Sequence, residues 1–505
     1  MKKTIYSLIL AAFACGCTFL DETPRDQKSR EEVVTSEAAL YLNTLGNLYG
    51  MIGSDKTGEG LAGTDRGVYD LNTFTTDEAI LPTRGGDWYD GGLWQRLYLH
   101  SWESGEAPVK NAWTYLYKVI VMANQAIEDL EGYPEWQQEA RAVRALYYYY
   151  LLDMFGRVPI VTSPDVEMAN VAQSSRAEVF QFVTSELEAV LSDLACERSN
   201  RPGVWYGRMT RPVAWFLLAK LYLNAPVYAG VEAYDNVLNF CEMLELMGYG
   251  LEEDYAANFA VYNEASVENI FTIPMDKHLY RAQNQYLFRS RHYDHAAAIG
   301  FTGENGSSAT LEVLYANDFG EAGQDPRFDI NYWGGAPTDL DDKVIDLEYK
   351  PLSVALDVTG TADEKLAGAR MRKYEIDPRA MKDGKLMDND WVLFRYADAL
   401  LMRAEALLRT NDPEGALVLV NKVRARAYAD PLPELTLDIL LQERMREFAW
   451  EGLRRQDLIR FGAYGKPWSF RPSLPQEQET GFTNVFPIPA DILDVNPKLT
   501  QNEGY

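Results

Sequence analysis

Three runs, RYADALLMRAEALL (395–408), ALVLVNKVRARA (416–427) and LLQERMREFAWEGLRRQDLIRFG (440–462), decide how the rest of this 505-residue chain is read. In the first, Ala397, Leu400, Leu401, Ala404 and Leu408 recur three or four residues apart, with Arg395, Asp398, Arg403 and Glu405 between them. That spacing predicts a helix with one buried face. Asn411-Asp412-Pro413 ends it and starts the next, with Asp412 placed to cap and Pro413 at the first helical position. The second helix carries Leu417, Val420 and Val423, and a third follows from Thr436. Two such helices joined by a tight polar turn, with Ala404 and Ala416 small enough for close approach, describe a hairpin of the tetratricopeptide type.

Upstream the same pattern recurs. Residues 31–50 read as a helix. Residues 112–130 and 136–155 form a hairpin around Gly132-Tyr133-Pro134, residues 177–194 and 210–223 a second, and 231–246 a further helix. The expected fold is mainly α, built from about four tetratricopeptide-like hairpins. Tyr147, Tyr148, Tyr149 and Tyr150 are read as core with hydroxyls at its periphery. From 270 to 390 the helical period fades and glycine, aspartate and aromatics mix, with residues 270–274 a candidate strand. A loop-rich insertion of this length in a compact protein usually carries function.

Hydrophobic content of 47% and aromatic content of 12% exclude a disordered chain, and a net charge of −27 argues against a nucleic-acid partner. Two lysines followed by a short apolar run over residues 5–13 read as a secretory signal, too short to span a bilayer. Cys17 after Ala14-Cys15-Gly16 is placed like a lipoprotein cysteine, and loss of Lys2 and Lys3 takes the charge to about −29. The expected segments are a signal at 1–16, a lipidated tether at 17–30, a helical region at 31–269, the insertion at 270–390 and a C-terminal block at 391–505. Cys196 and Cys241 either pair or stay as two buried thiols.

One loop stands out as a ligand surface. Thr83-Arg84-Gly85-Gly86-Asp87-Trp88-Tyr89-Asp90-Gly91-Gly92-Leu93-Trp94 has four glycines and no helical period, yet holds two Trp and one Tyr. Flat aromatic faces beside Arg84, Asp87 and Asp90 suit a sugar ring, whose C–H face stacks while its hydroxyls take charged hydrogen bonds. Trp94 borders an apolar run and is read as a plug. In the insertion, Tyr293 and Trp333 are further candidate contacts, and Arg281, Arg289 and Arg291 hint at an acidic sugar. Other motifs are set aside. Gly58-x-Gly60-x-x-Gly63 follows a helical pattern rather than a strand. His292 and His295 lack a third metal ligand. Asp339 to Asp342 is read as a solvated loop, a structural calcium ion being the alternative, and no other cofactor is expected. Glu443, Glu447 and Glu451 lie side by side on one helix, unlike a glycosidase pair facing across a cleft, and are read as a salt-bridged helix surface.

The three runs quoted first, together with Phe19-Leu20-Asp21-Glu22-Thr23-Pro24, the Arg144–Tyr150 run, Phe155-Gly156-Arg157-Val158-Pro159, Asp325-Pro326-Arg327 and the ending Gln501-Asn502-Glu503-Gly504-Tyr505, resemble the SusD/RagB family of Bacteroidetes outer-membrane lipoproteins. The resemblance covers essentially the whole chain. It implies a lipid on Cys17, a surface-exposed outer-membrane location, noncovalent glycan binding without catalysis, and a SusC-like TonB-dependent transporter as partner. It also implies that Arg84, Trp88 and Tyr89 contribute to the glycan site and that Asp325-Pro326-Arg327 is structural. Capture of peptides, as in RagB-like members, and an all-helical glycan-active enzyme are the competing readings.

Overall fold

A computed structural model describes residues 36–54, 56–62, 65–279 and 286–505. Cys17, the signal and the whole of the tether therefore lie outside the described residues. Ser36 caps a short helix at Glu37–Tyr41. Residues 44–505 form one compact unit.

In that unit the expected hairpins are present. Helices α1 (Ala107–Asp129) and α2 (Pro134–Phe155) pack along their length. Tyr115 and Tyr147 share a hydroxyl–hydroxyl bond of 2.7 Å, and Trp113 meets Phe155 edge-on at 5.0 Å. Tyr147, Tyr148 and Tyr149 are buried as expected, but their hydroxyls are interior too. The Tyr148 hydroxyl donates to the Val161 carbonyl and accepts from its amide, and the Tyr149 hydroxyl accepts from Gln456. A buried hydroxyl needs a partner, and each has one.

Helix α3 (Arg176–Val190) starts with a complete capping box between Ser175 and Glu178. It packs chiefly on α2, whereas α4 (Arg211–Leu223) pairs with α5 (Tyr234–Leu246), so the expected hairpin of 177–194 with 210–223 is re-partnered. The reason lies in α4, which is buried almost all round and needs apolar cover beyond what α3 supplies. Helices α6 (Tyr396–Arg409) and α7 (Pro413–Arg426) form the hairpin that the sequence announces, with the Asp412 carboxylate accepting from the Gly415 amide at 2.9 Å. Thr436 caps α8 (Leu437–Glu447), and α9 (Arg454–Arg460) follows.

The insertion begins and ends at one place. Strand β1 (Asn269–Ile273) opens it, β2 (Trp391–Arg395) closes it, and the two pair antiparallel, with Ile273 opposite Trp391. Between them lie short helices and loops that fold back on the segment before α1, where Ala79 and Ile80 pair with Ala309 and Ser308. The chain's last residues seal the end of α2: the Asn502 side-chain amide donates to the Phe155 and Phe486 carbonyls, and Arg157 donates to the Gln501 carbonyl.

The acidic row on α8 is interior, contrary to a salt-bridged surface. Glu443 and Glu447 have no exposed surface. Glu447 accepts from Arg395 at 2.6 Å, from Arg327 at 2.9 Å and from Arg426, while Glu443 meets Arg327 at 2.8 Å and Arg424 at 2.6 Å. Arg327 also forks onto Asp325, so the Asp325-Pro326-Arg327 motif pairs locally and reaches into α8. Burial opposes the charge on Glu447, yet Arg426, Arg395 and Arg327 hold its carboxyl well below the usual range. Cys196 is exposed and Cys241 buried, both as free thiols.

Candidate functional site

Glycine makes the 83–94 loop possible. Arg84 and Asp87 exchange both backbone hydrogen bonds, 2.9 and 3.2 Å, around Gly85 and Gly86, whose φ values of 62° and 96° fit a two-residue reversal that disfavours a Cβ. Trp88 then takes φ 64°, a left-handed setting that a bulky residue adopts only when its surroundings hold it there. The hold is visible. Its indole N–H donates to the Glu304 carbonyl at 2.9 Å, and its ring lies so close to Gly306 that a Cβ there would sit 2.7 Å from Cε2.

This anchoring leaves Tyr89 (53% exposed) and Tyr293 (42%) on the surface beside a half-buried Trp88. Asp87 accepts from the Tyr293 hydroxyl and from Lys365, each at 3.2 Å, which ties loop and insertion together. Burial and the adjacent Asp87 carboxylate raise the Tyr293 hydroxyl above its ordinary value, so it remains a protonated donor. The exposed groups therefore offer aromatic faces, a hydroxyl, a carboxylate and an ammonium within one patch, a set that can stack a ring and exchange hydrogen bonds with its hydroxyls.

Two of the candidate residues sit beneath that patch. Arg84 has no exposed surface, and its guanidinium donates to Ser308 Oγ and to the carbonyls of Glu364 and Ala367 at 2.8–2.9 Å. Its donors are turned inward, so it braces the loop against the insertion and does not meet a bound ligand directly. Trp333 is 7% exposed, with His295 against it at 4.5 Å and the Arg291 and Arg372 guanidiniums near its ring. Burial removes it from direct contact as well. Arg289 and Arg291 are also interior, Arg289 paired with Asp70 at 2.9 Å, so neither presents a cation to an acidic sugar; Arg281 lies outside the described residues. Trp94 is buried with its N–H on Asp90, as a plug should be.

The imidazoles have structural duties. His292 accepts from the Asp294 amide at a helix start, and His295 shares a 2.9 Å bond with Tyr349, its pKa pushed down to about 3 by burial and the nearby Arg291. Among the described residues no three acidic, thiol or imidazole groups gather as a metal site. Asp339 spends one carboxylate oxygen on the amides of Asp341 and Lys343. Lys365 and the Glu304 carbonyl were invisible to sequence reasoning. Nothing in a loop without helical or strand period marks a lysine or a backbone oxygen as part of a site.

Residues 323–505 match the family model described as SusD family, and residues 18–223 match one described as starch-binding, associating with outer membrane. Over whole chains, the sequence is 25% identical to the starch-binding protein SusD of Bacteroides thetaiotaomicron, covering 100% of this chain and 99% of that one. It is also 25% identical to SusD-like protein P25 of Formosa agariphila, at 99% and 98% coverage. The backbone superposes on a laminarin-binding SusD-like protein with TM-score 0.72 at 20% identity, covering 93% of this chain and 100% of the other. A SusD-like carbohydrate-binding protein from Bacteroides fragilis gives TM-score 0.73 at 21% identity, with the same coverages. Models of one family at both ends, whole-length sequence likeness and the shared helical fold place this chain in the SusD/RagB family.

Proposed function

We propose that this protein captures an oligosaccharide noncovalently on the Trp88–Tyr89–Tyr293 patch and passes it to a SusC-like TonB-dependent transporter. A lipid on Cys17 holds it on the outer face of the outer membrane. The observation that carries the reading is the exposure of Tyr89 and Tyr293 around a Trp88 pinned in a left-handed conformation, because large rings left open on a fixed loop serve contact with a ligand. Relatives named for starch and laminarin binding support a glycan as cargo. Binding without turnover is supported by the fate of the acidic row on α8. A carboxylate pair sealed inside the protein by arginines has no path to a glycosidic bond.

The test is calorimetry and retention of the full-length chain, in detergent, on immobilised plant, host and microbial glycans and on a peptide pool. Retention on a glycan, weakened about tenfold (about 1.4 kcal/mol) by Tyr89→Ala and again by Tyr293→Ala without a change in melting temperature, is the expected result. Retention of peptides alone would replace the glycan reading.

A further inference from the structure

A concavity lies apart from the Trp88 patch, at the start of the insertion. It is a cleft of about 660 Å³ between the segment that leads into α4, the turn after residue 260, and the chain that enters and leaves the β1–β2 ribbon. That volume falls within the roughly 300–1,000 Å³ of small-ligand sites. Tyr262 lines it, half exposed and at φ 63°. A tyrosine in this left-handed region is strained unless held. Here Arg379 holds it, with its guanidinium 5.2 Å from the ring centre and a hydrogen bond to the hydroxyl. The ring is thus fixed at the cleft and still half open to solvent.

The polar groups of the cleft show what it would accept. Asp390, 5% exposed, takes the Tyr206 hydroxyl on one oxygen and the Met275 amide at 2.6 Å on the other. Lys277 is consumed by Asp377 and Asp388, whereas Arg379 bonds the Tyr262 hydroxyl, lies 3.8 Å from Asp377 and keeps 59% of its side chain exposed. Among the described residues Glu264 has no ion pair, and Asp276 uses one oxygen on the amides of His278 and Leu279 at 2.8 Å each, leaving its second. Glu264, Asp276, Asp388 and Asp390 in the lining outnumber Lys277 and Arg379, so the cleft is acidic on balance and carboxylate oxygens remain open. An ionised carboxylate only accepts, so the complementary ligand carries many O–H donors, an apolar face for the tyrosine and no negative charge.

We infer that the Tyr262–Glu264–Asp276 cleft is a second carbohydrate site, selective for uncharged sugar residues. It rests on the glycan reading above only for the class of ligand, since its walls share no residue with the Trp88 patch. A chain with two such sites would hold a long polysaccharide at two points and gain avidity without a tighter single site.

The experiment titrates the full-length chain with maltohexaose, laminarihexaose, xylohexaose, mannohexaose and hexagalacturonate. Four proteins are compared: wild type, Tyr89→Ala/Tyr293→Ala, and each of these carrying Tyr262→Gly with Glu264→Gln. Glycine suits the left-handed backbone at 262, and Glu264→Gln alone is the fallback should the glycine variant fail to fold. The expected result is residual binding of at least one neutral hexasaccharide to Tyr89→Ala/Tyr293→Ala, lost tenfold or more when 262 and 264 are changed, with hexagalacturonate excluded from that residual site. Unchanged isotherms on altering 262 and 264, or no neutral sugar bound once Tyr89 and Tyr293 are gone, would overturn the second site. Full wild-type affinity in Tyr89→Ala/Tyr293→Ala would instead overturn the Trp88 patch.

Discussion

Glu78 carries a charge that the interior penalises. It is 2% exposed, accepts the Trp450 amide on one carboxylate oxygen, and has no hydrogen-bond partner on the other. Burial lifts its pKa to about 7, against the pull of the Trp450 amide, Arg454 and Lys373. A carboxyl whose folded pKa is raised adds stability that is full below about pH 4.5 and lost as pH climbs through about 7. Wild type should therefore lose melting temperature between pH 5 and 8, and Glu78→Gln should flatten that slope, by up to about 3 kcal/mol at pH 8. A thermal-melt series over that range checks it. Trp88, Arg84 and Trp333 illustrate what single residues disclose from sequence. The glycine pattern around 85–92 marks a loop rich in aromatics, and Tyr89 and Tyr293 stand exposed. The direction in which Arg84 and Trp333 point depends on carbonyls at 364 and 367 and on rings brought from other loops, which no local period encodes.

Among elements, the α6–α7 hairpin was the most legible, because cap, proline and apolar spacing all lie within its own residues. Removing the Asp412 cap exposes the same logic to measurement. Asp412→Ala should cost about 1 kcal/mol in chemical denaturation and leave glycan binding untouched, since the turn is remote from the 83–94 loop in sequence and takes no part in its contacts. The α3–α4 pairing was misread for the opposite reason. Helix α3 is amphipathic enough to pair in sequence order, but α4 is apolar nearly all round and α5 supplies the closer cover. Helix α8 misled in another way. Acids and arginines at successive turns read as a solvated face, whereas their partners Arg327, Arg395 and Arg426 come from three separate places in the chain.

At the scale of the molecule, that buried network couples the insertion to the helical stack. Glu268 and Arg395 flank the ribbon, Arg327 comes from the insertion, Arg426 from α7, and Glu447 receives three of the four. Cutting one anion strands several cations in the interior, so Glu447→Ala should cost about 3–5 kcal/mol or prevent accumulation of folded protein, measurable by urea unfolding and soluble yield. The depressed pKa of Glu447 gives stability present above the unfolded value and lost only as pH falls through the folded one, so this network should survive at pH 4. The β1–β2 ribbon gives the arrangement an evolutionary meaning. Because Ile273 and Trp391 face each other, the chain leaves the helical stack and re-enters it at adjacent points, as at the base of a stem. Loops beyond such a stem can lengthen, shorten or be exchanged without shifting the helices, provided that the Arg327 and Lys373 attachments to α8 and the residues after it, the Ser308–Ala309 pairing and the packing of residues 311–316 on α8 are kept. Diversity of cargo could thus accumulate in residues 293–307 and 335–365 while the frame stays constant, and chimaeras joined inside those limits offer a rational way to transplant one member's specificity onto another.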